Sequence, residues 1–294
     1  MPPASFSLDL PTRPSPEEIA GMLSHLPSAP NVLPRLSELM HEENLSLQDV
    51  SRLLRLDPGL TARVLGLGFQ RASIRGAQCT TVEDAINLIG LNPIVAMISQ
   101  VAKAQVLARP VNLYGLDADE LWRWSVSCAL SAELLAELTG EDKGVAYSAG
   151  LLHAAGVVAI DEWALQRAPS LLFMPRDVVS DFTASERALL GCTQAEVGAA
   201  LLQRWEFPAT LVEPIRWQNA PHGSAGYARM ACLLNAAKWL RTVVCAEDDF
   251  RTPALPDAVV LRPLRFTPER LMRLVVEVRI RLGEVRNLVE ALAA

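Results

Sequence analysis

The feature that most restricts the fold is a helix-start signal that recurs along the chain. Ser15-Pro16-Glu17-Glu18 combines three devices in four residues. The Ser15 hydroxyl can accept from an unpaired backbone N–H, the missing proline N–H is harmless in a first turn, and a carboxylate at the third helical position can reach back to the cap. The same spacing returns at Ser46 with Asp49, Thr80 with Glu83, Asp117 with Glu120, Thr183 with Glu186 and Thr193 with Glu196. Asp57-Pro58, Asn92-Pro93 and Thr267-Pro268 add further starts. Apolar spacing agrees: Leu60, Val64 and Leu67 share a helix face, and Leu271, Leu274, Val275 and Val278 form a stripe. Only Ala258 to Leu261 looks briefly β-like, and so short a run cannot found a sheet. An all-α fold is expected.

With 294 residues, 50% of them hydrophobic, the chain can fill one large or two smaller helical cores. Punctuation divides it into an amino-terminal bundle at 15–109, a second body at 117–245 and a connection with a final helix at 246–294. Pro110, Asn112, Gly115 and Asp117 mark the first junction. Val111, Leu113 and Tyr114 should pack that junction against the core and hold the two bodies rigidly. The later connection carries Glu247, Asp248 and Asp249, then Pro253, Pro256 and Pro263. A structureless loop of roughly 20 residues is long for a compact domain, so a short helix or packed extended segment is expected within it.

Charge and cysteine usage narrow the setting. Lys and Arg number 27 against 33 Asp and Glu, for a net charge of −6, which offers phosphate backbones no global attraction and makes nucleic acid a poor default partner. Five scattered cysteines with no CxxC pair suit a reduced, cytoplasmic protein. Residues 144–160 lack formal charge but fall short of the roughly 20 residues that span a bilayer, so a buried core helix is expected there and no membrane partner.

That apolar stretch contains His153. Its side chain is either a buried histidine with both nitrogens satisfied or part of a polar pocket for a small ligand. Asp161 and Glu162 lie eight and nine residues further along, more than ~10 Å away at a rise of roughly 1.5 Å per residue, too far to share a metal on one helix. Trp122, Trp124, Trp205 and Trp217 can fill core volume or line a pocket. Asp57 reads as a helix cap, Cys128 and Cys232 as inert core residues, and no phosphate-binding glycine loop is present. Arg265, Arg270, Arg273, Arg279, Arg281 and Arg286 in the last segment face Glu269, Glu277, Glu284 and Glu290, which describes a solvated or partner-docking helix better than a nucleic-acid surface.

The segment Ala149-Gly150-Leu151-Leu152-His153-Ala154-Ala155-Gly156 resembles the Gly-Leu-Leu-His-Asp-Ile-Gly signature of the HD superfamily, especially its HDOD branch. Leu26 to Pro30, Leu56 to Leu65, Ala85 to Gly90, the Trp122 to Ala129 helix and Trp205 to Pro208 are similar to further HDOD motifs, so the resemblance spans about 22–222. Gly68-Phe69 stands where relatives usually carry Asn-Ser. The resemblance implies an amino-terminal helical bundle packed on a degenerate HD-like bundle. In catalytic HD relatives, histidines and aspartates hold metals that activate water for phosphate-ester hydrolysis. Here the corresponding positions are Trp124, His153, Ala154, Gln194 and the pair Trp217-Gln218, which leaves one strong donor. By the same resemblance the chain is expected to be a bacterial regulatory module with neither metal nor cofactor, acting in signal transduction on a protein partner. Two alternatives stay open: a small-molecule or cyclic-nucleotide sensor, and a divergent metal-dependent phosphohydrolase.

Overall fold

The computed structural model of the protein describes residues 13–40, 46–104, 107–169, 171, 182–246 and 253–291. Helices begin at most of the caps read from the sequence. The first six are α1 (Pro16–Ala20), α2 (Leu33–Leu39), α3 (Leu47–Arg55), α4 (Pro58–Arg75), α5 (Val82–Ile89) and α6 (Leu91–Ala104). After a 3₁₀ turn at Asn112–Tyr114 come α7 (Ala118–Thr139), α8 (Lys143–Leu152), α9 (Ala155–Arg167), α10 (Thr183–Leu190), α11 (Gln194–Arg204) and α12 (Ala209–Arg216). Another 3₁₀ turn, Pro221–Gly223, precedes α13 (Ala228–Cys245), α14 (Ala258–Leu264) and α15 (Pro268–Ala291). Among the described residues there is no sheet, only isolated bridges pairing Ser28 with Leu107 and Val111 with Leu116.

Ser15, Asp117 and Thr193 form the expected reciprocal capping boxes with Glu18, Glu120 and Glu196. Others differ. The box before α5 is Thr81 with Asp84, one residue beyond Thr80 and Glu83, because the Asp84 carboxylate gathers the backbone N–H groups of both Thr80 and Thr81. Helix α10 starts at Thr183 itself, with Phe182 at the N-cap position, and Glu186 is buried. Helix α6 starts at Leu91, ahead of Asn92. The Ala258–Leu261 run is helical, as α14, and supplies the short helix expected in the late connection.

The stretch expected as a single core helix is broken at His153 into α8 and α9. Taken together, Lys143–Arg167 is long and apolar enough to cross a membrane, but 89% of its most apolar window is buried inside the fold. Helix α7 is the central post of the second body, packed against α8 and α13, with α15 laid across both α7 and α13. Helix α1, which the sequence groups with the amino-terminal bundle, packs instead on α9 and α11.

The stretches expected from the sequence to form two bodies share one hydrophobic cluster and are joined at several fixed points. Arg109 pairs with Asp161 at 2.6 Å and Glu162 at 2.9 Å, and the other Asp161 oxygen accepts from Leu113 N at 2.8 Å. Those two carboxylates therefore pin the junction rather than approach His153. Trp122 Nε1 donates to Leu56 O and Tyr147 OH to Arg55 O, both at 2.8 Å, while the Arg55 guanidinium lies 4.1 Å over the Tyr147 ring and pairs with Glu133.

Beside these contacts lies Asp57, fully buried. One oxygen caps α4 through Leu60 N at 2.9 Å, and the other accepts from Ala29 N at 3.0 Å. Gly59 lets the preceding loop close on this corner: a Cβ there would sit 2.4 Å from Pro27 O. Burial pushes the Asp57 carboxyl up to about 6, against the opposing pull of its backbone N–H partners. Asp57→Ala removes the cap and strands two N–H groups, so a loss of about 1–2 kcal/mol or more is expected in chemical denaturation. A folded-state pKa raised above that of the unfolded chain contributes stability that is complete below pH ~4 and falls as pH rises through about 6. This decline should be shallower in Asp57→Ala than in the wild type.

Candidate functional site

Two glycines set the position of His153. At Gly150 a Cβ would meet Cys128 O and the Ala129 backbone at 2.7 Å, and at Gly156 it would come within 1.9 Å of Gln194 O. Helix α8 can therefore lie directly on α7, and α9 on α11, with the bend between them carrying His153 into the centre of the second body.

His153 is completely buried. Its Nδ1 lies 2.7 Å from Gly150 O and its Nε2 lies 2.8 Å from a terminal nitrogen of Arg241 on α13. Arginine has no acceptor, so Nε2 must accept and the proton resides on Nδ1, donating to the carbonyl. Burial holds the imidazole well below its ordinary pKa, and the charges of Arg241 and Lys238 push it the same way. The ring is thus a neutral acceptor beneath a guanidinium. That guanidinium also covers Trp124, 4.3 Å from the ring centroid.

The residues compared with the HD signature divide into two groups. Trp124, His153, Ala154 and Gln194 line one cavity of about 230 Å³. Also around it are Glu186, Tyr114, Asn219, Lys238 and Arg241. Glu186 is fully buried, accepting from Tyr114 OH and from Gln194 N, each at 2.9 Å. Lys238 donates to Asn219 Oδ1. The Oε1 of Gln194 is buried without a hydrogen-bond partner among the described residues.

Trp217 and Gln218 stand outside this cavity. Trp217 donates to Glu213 at 3.1 Å, and its ring fills the space a side chain at Gly223 would need. Gln218 is a brace: its Nε2 donates to His153 O and Ile215 O, both at 3.0 Å. Trp122 and Trp205 are likewise elsewhere, at the lobe junction and in a surface cleft. Among the described residues, no three His, Cys, Asp or Glu side chains converge on a metal-sized volume. At His153 the remaining lone pair already meets a cation, and Ala154 and Trp124 offer no metal donor, which leaves Glu186 as the one carboxylate lining the cavity among the described residues.

Sequence reasoning missed Arg241, Lys238, Glu186 and Tyr114. A faint signal existed for the first two: cations three residues apart within the apolar run of α13.

Residues 26–221 match the HDOD domain. The chain belongs to the HDOD domain family. A relative from Treponema pallidum (strain Nichols), itself an uncharacterized protein, is 24% identical over 216 residues, covering 71% of this chain and 40% of its own. The chain thus spans well under half the length of that relative. Among solved structures, the MmoQ response regulator of Methylococcus capsulatus str. Bath superposes with a TM-score of 0.64 at 20% identity, over 86% of this chain and 99% of its own. A virulence factor of Campylobacter jejuni gives a TM-score of 0.60 at 23% identity, over 76% and 82%. At such identities the likeness is one of fold.

Nitrogen-resolved NMR of the imidazole should show a neutral ring with the proton on Nδ1 as pH falls through 6.5. With the folded pKa depressed, the contribution of His153 to stability is present above about pH 6.5 and is lost below it, as the unfolded chain takes up a proton. His153→Gln should remove that acid-side slope.

Proposed function

We propose that this HDOD protein is a non-catalytic signalling module of the bacterial cytoplasm that acts through protein contacts. The observation that carries the reading is the Arg241 guanidinium on His153 Nε2. Metal-assisted phosphoester hydrolysis needs that lone pair on the metal, together with further hard donors around an open position. Here the lone pair is spent on a structural hydrogen bond, and an indole and a methyl group stand at two neighbouring positions of the HD signature. The fixed union of the two bodies through Arg55, Trp122, Tyr147 and Arg109 suits such a module. A partner meets residues from both bodies without having to order them first.

The test is direct. Purified protein supplied with Mn²⁺ or Fe²⁺ should not hydrolyse bis(p-nitrophenyl) phosphate above the rate of a His153→Ala control. Metal retained at one equivalent, with turnover that the control lacks, would overturn the reading.

One observation favours a second reading, a small-ligand sensor: the cavity beside His153 with its unpartnered Gln194 Oε1. An unsatisfied buried acceptor is answered by a ligand donor or by ordered water. Stacking of a nucleotide base on Trp124 is opposed by Arg241, which already occupies a face of that ring. A small polar ligand should raise Tm in the wild type and less in Gln194→Leu.

A further inference from the structure

A second concavity, of about 510 Å³, opens where the amino-terminal bundle meets the end of α11. Its walls are apolar: Leu26 from the loop before α2, Leu67 from α4, Met97 from α6, and Trp205 and Phe207 from the turn after α11. Leu67 is 40% exposed, although it lies on the α4 face that the sequence assigns to the core. The far wall is held by Glu206, whose φ of 62° puts a non-glycine residue in the left-handed region and ends α11. Phe207 then meets Phe69 edge-on, with centroids 5.1 Å apart. The Phe69 that stands where relatives carry a polar residue thus supports the wall of this cleft.

Arg63 enters the same cleft from α4. Its Nε is buried with no hydrogen-bond partner among the described residues, and burial holds the guanidinium below its ordinary pKa. The acid whose field reaches it is Asp57, but both oxygens of Asp57 serve backbone N–H groups. His25 alongside is held toward its neutral form by burial and by the Arg63 charge. Arg204 adds a second cation at the rim, and Glu206 is an acid on the same rim.

We propose that this cleft seats an apolar segment of a partner protein, with an Asp or Glu side chain of that segment pairing with Arg63. A half-buried arginine that lines the cleft and pairs with no acid among the described residues calls for a carboxylate, which its fork matches in two hydrogen bonds. The apolar walls call for large side chains next to that acid. The cleft is open rather than enclosed, which suits a side chain presented by a protein better than a small molecule needing most of its surface buried. The proposal rests on the reading of the chain as a protein-contact module.

A displayed random-dodecamer library selected on the intact chain supplies the probes. Enriched peptides should carry Asp or Glu beside Leu, Phe or Trp. Labelled copies, titrated by fluorescence polarisation, should lose tenfold or more in affinity for Arg63→Met, which keeps the apolar stem, and for Leu67→Asp. They should bind Arg273→Ala, altered on the exposed face of α15, like the wild type. Circular dichroism of each variant guards against misfolding, and Arg63→Glu should bind Lys-substituted copies of the peptides in preference to the originals. No enrichment, or peptides indifferent to both Arg63→Met and Leu67→Asp, overturns the cleft. Metal-dependent turnover is the result that overturns the underlying reading, so the two failures are separable.

Discussion

The Asp57 carboxylate is the knot on which the relation between the two bodies depends. Alone it would be an expensive group to bury, and its raised pKa records that expense. It stays inside because it serves two stretches of chain at once, the first turn of α4 and the loop at Ala29. Once that loop is held, Pro27 can rest on Gly59, and the carbonyls of Arg55 and Leu56 just upstream become acceptors for Tyr147 and Trp122 of the second body. A helix cap, worth little by itself, becomes an organising element when its second oxygen reaches a distant segment.

In the second body the comparable constraint is backbone proximity at Gly150 and Gly156. Helices that touch through glycine approach closely enough to leave one side chain, His153, enclosed on every side. Enclosure makes its protonation unfavourable and turns the imidazole into an acceptor whose partner must be a donor. Arg241 meets that requirement, and in doing so gains a place for a charge that would otherwise be costly within an apolar helix.

Much of this was readable in the residues, for identifiable reasons. Asp57 before Pro58 admits few conformations, so its cap was legible, whereas its bond to Ala29 spans 28 residues and left no local trace. The Thr80-Thr81-Val82-Glu83-Asp84 run offers two hydroxyls and two acids at the same spacing, so pattern alone could not select Thr81 with Asp84. Hydropathy marked 144–160 as buried but could not reveal the break at His153, because the bend follows from which helices the glycines permit to touch. Trp124, His153, Ala154 and Gln194 could be grouped by resemblance, but Arg241 is 88 residues from His153 and lies outside every motif that carries the resemblance. Trp217 and Gln218 were grouped with them, yet one fills space beside Gly223 and the other braces the His153 carbonyl.

The distribution of polar atoms at the two concavities explains why they differ in character. Around His153 the polar groups are engaged pairwise, the histidine with Arg241, Glu186 with Tyr114 and the Gln194 N–H, and Lys238 with Asn219, which makes the site a web between helices of the core. A carboxylate in place of Ala154 would enter a cavity that Arg241 and Lys238 also line, so pairing with those cations would compete with any metal. The cleft at Arg63 is arranged in the opposite sense. Phe69 supports Phe207 from behind and Leu67 stays 40% exposed, while Arg63 among them pairs with no acid of the described residues. Around His153 the Gln194 Oε1 is what a ligand would find left to meet, whereas an arginine with no paired acid among exposed apolar side chains gains most from an acceptor brought by another molecule.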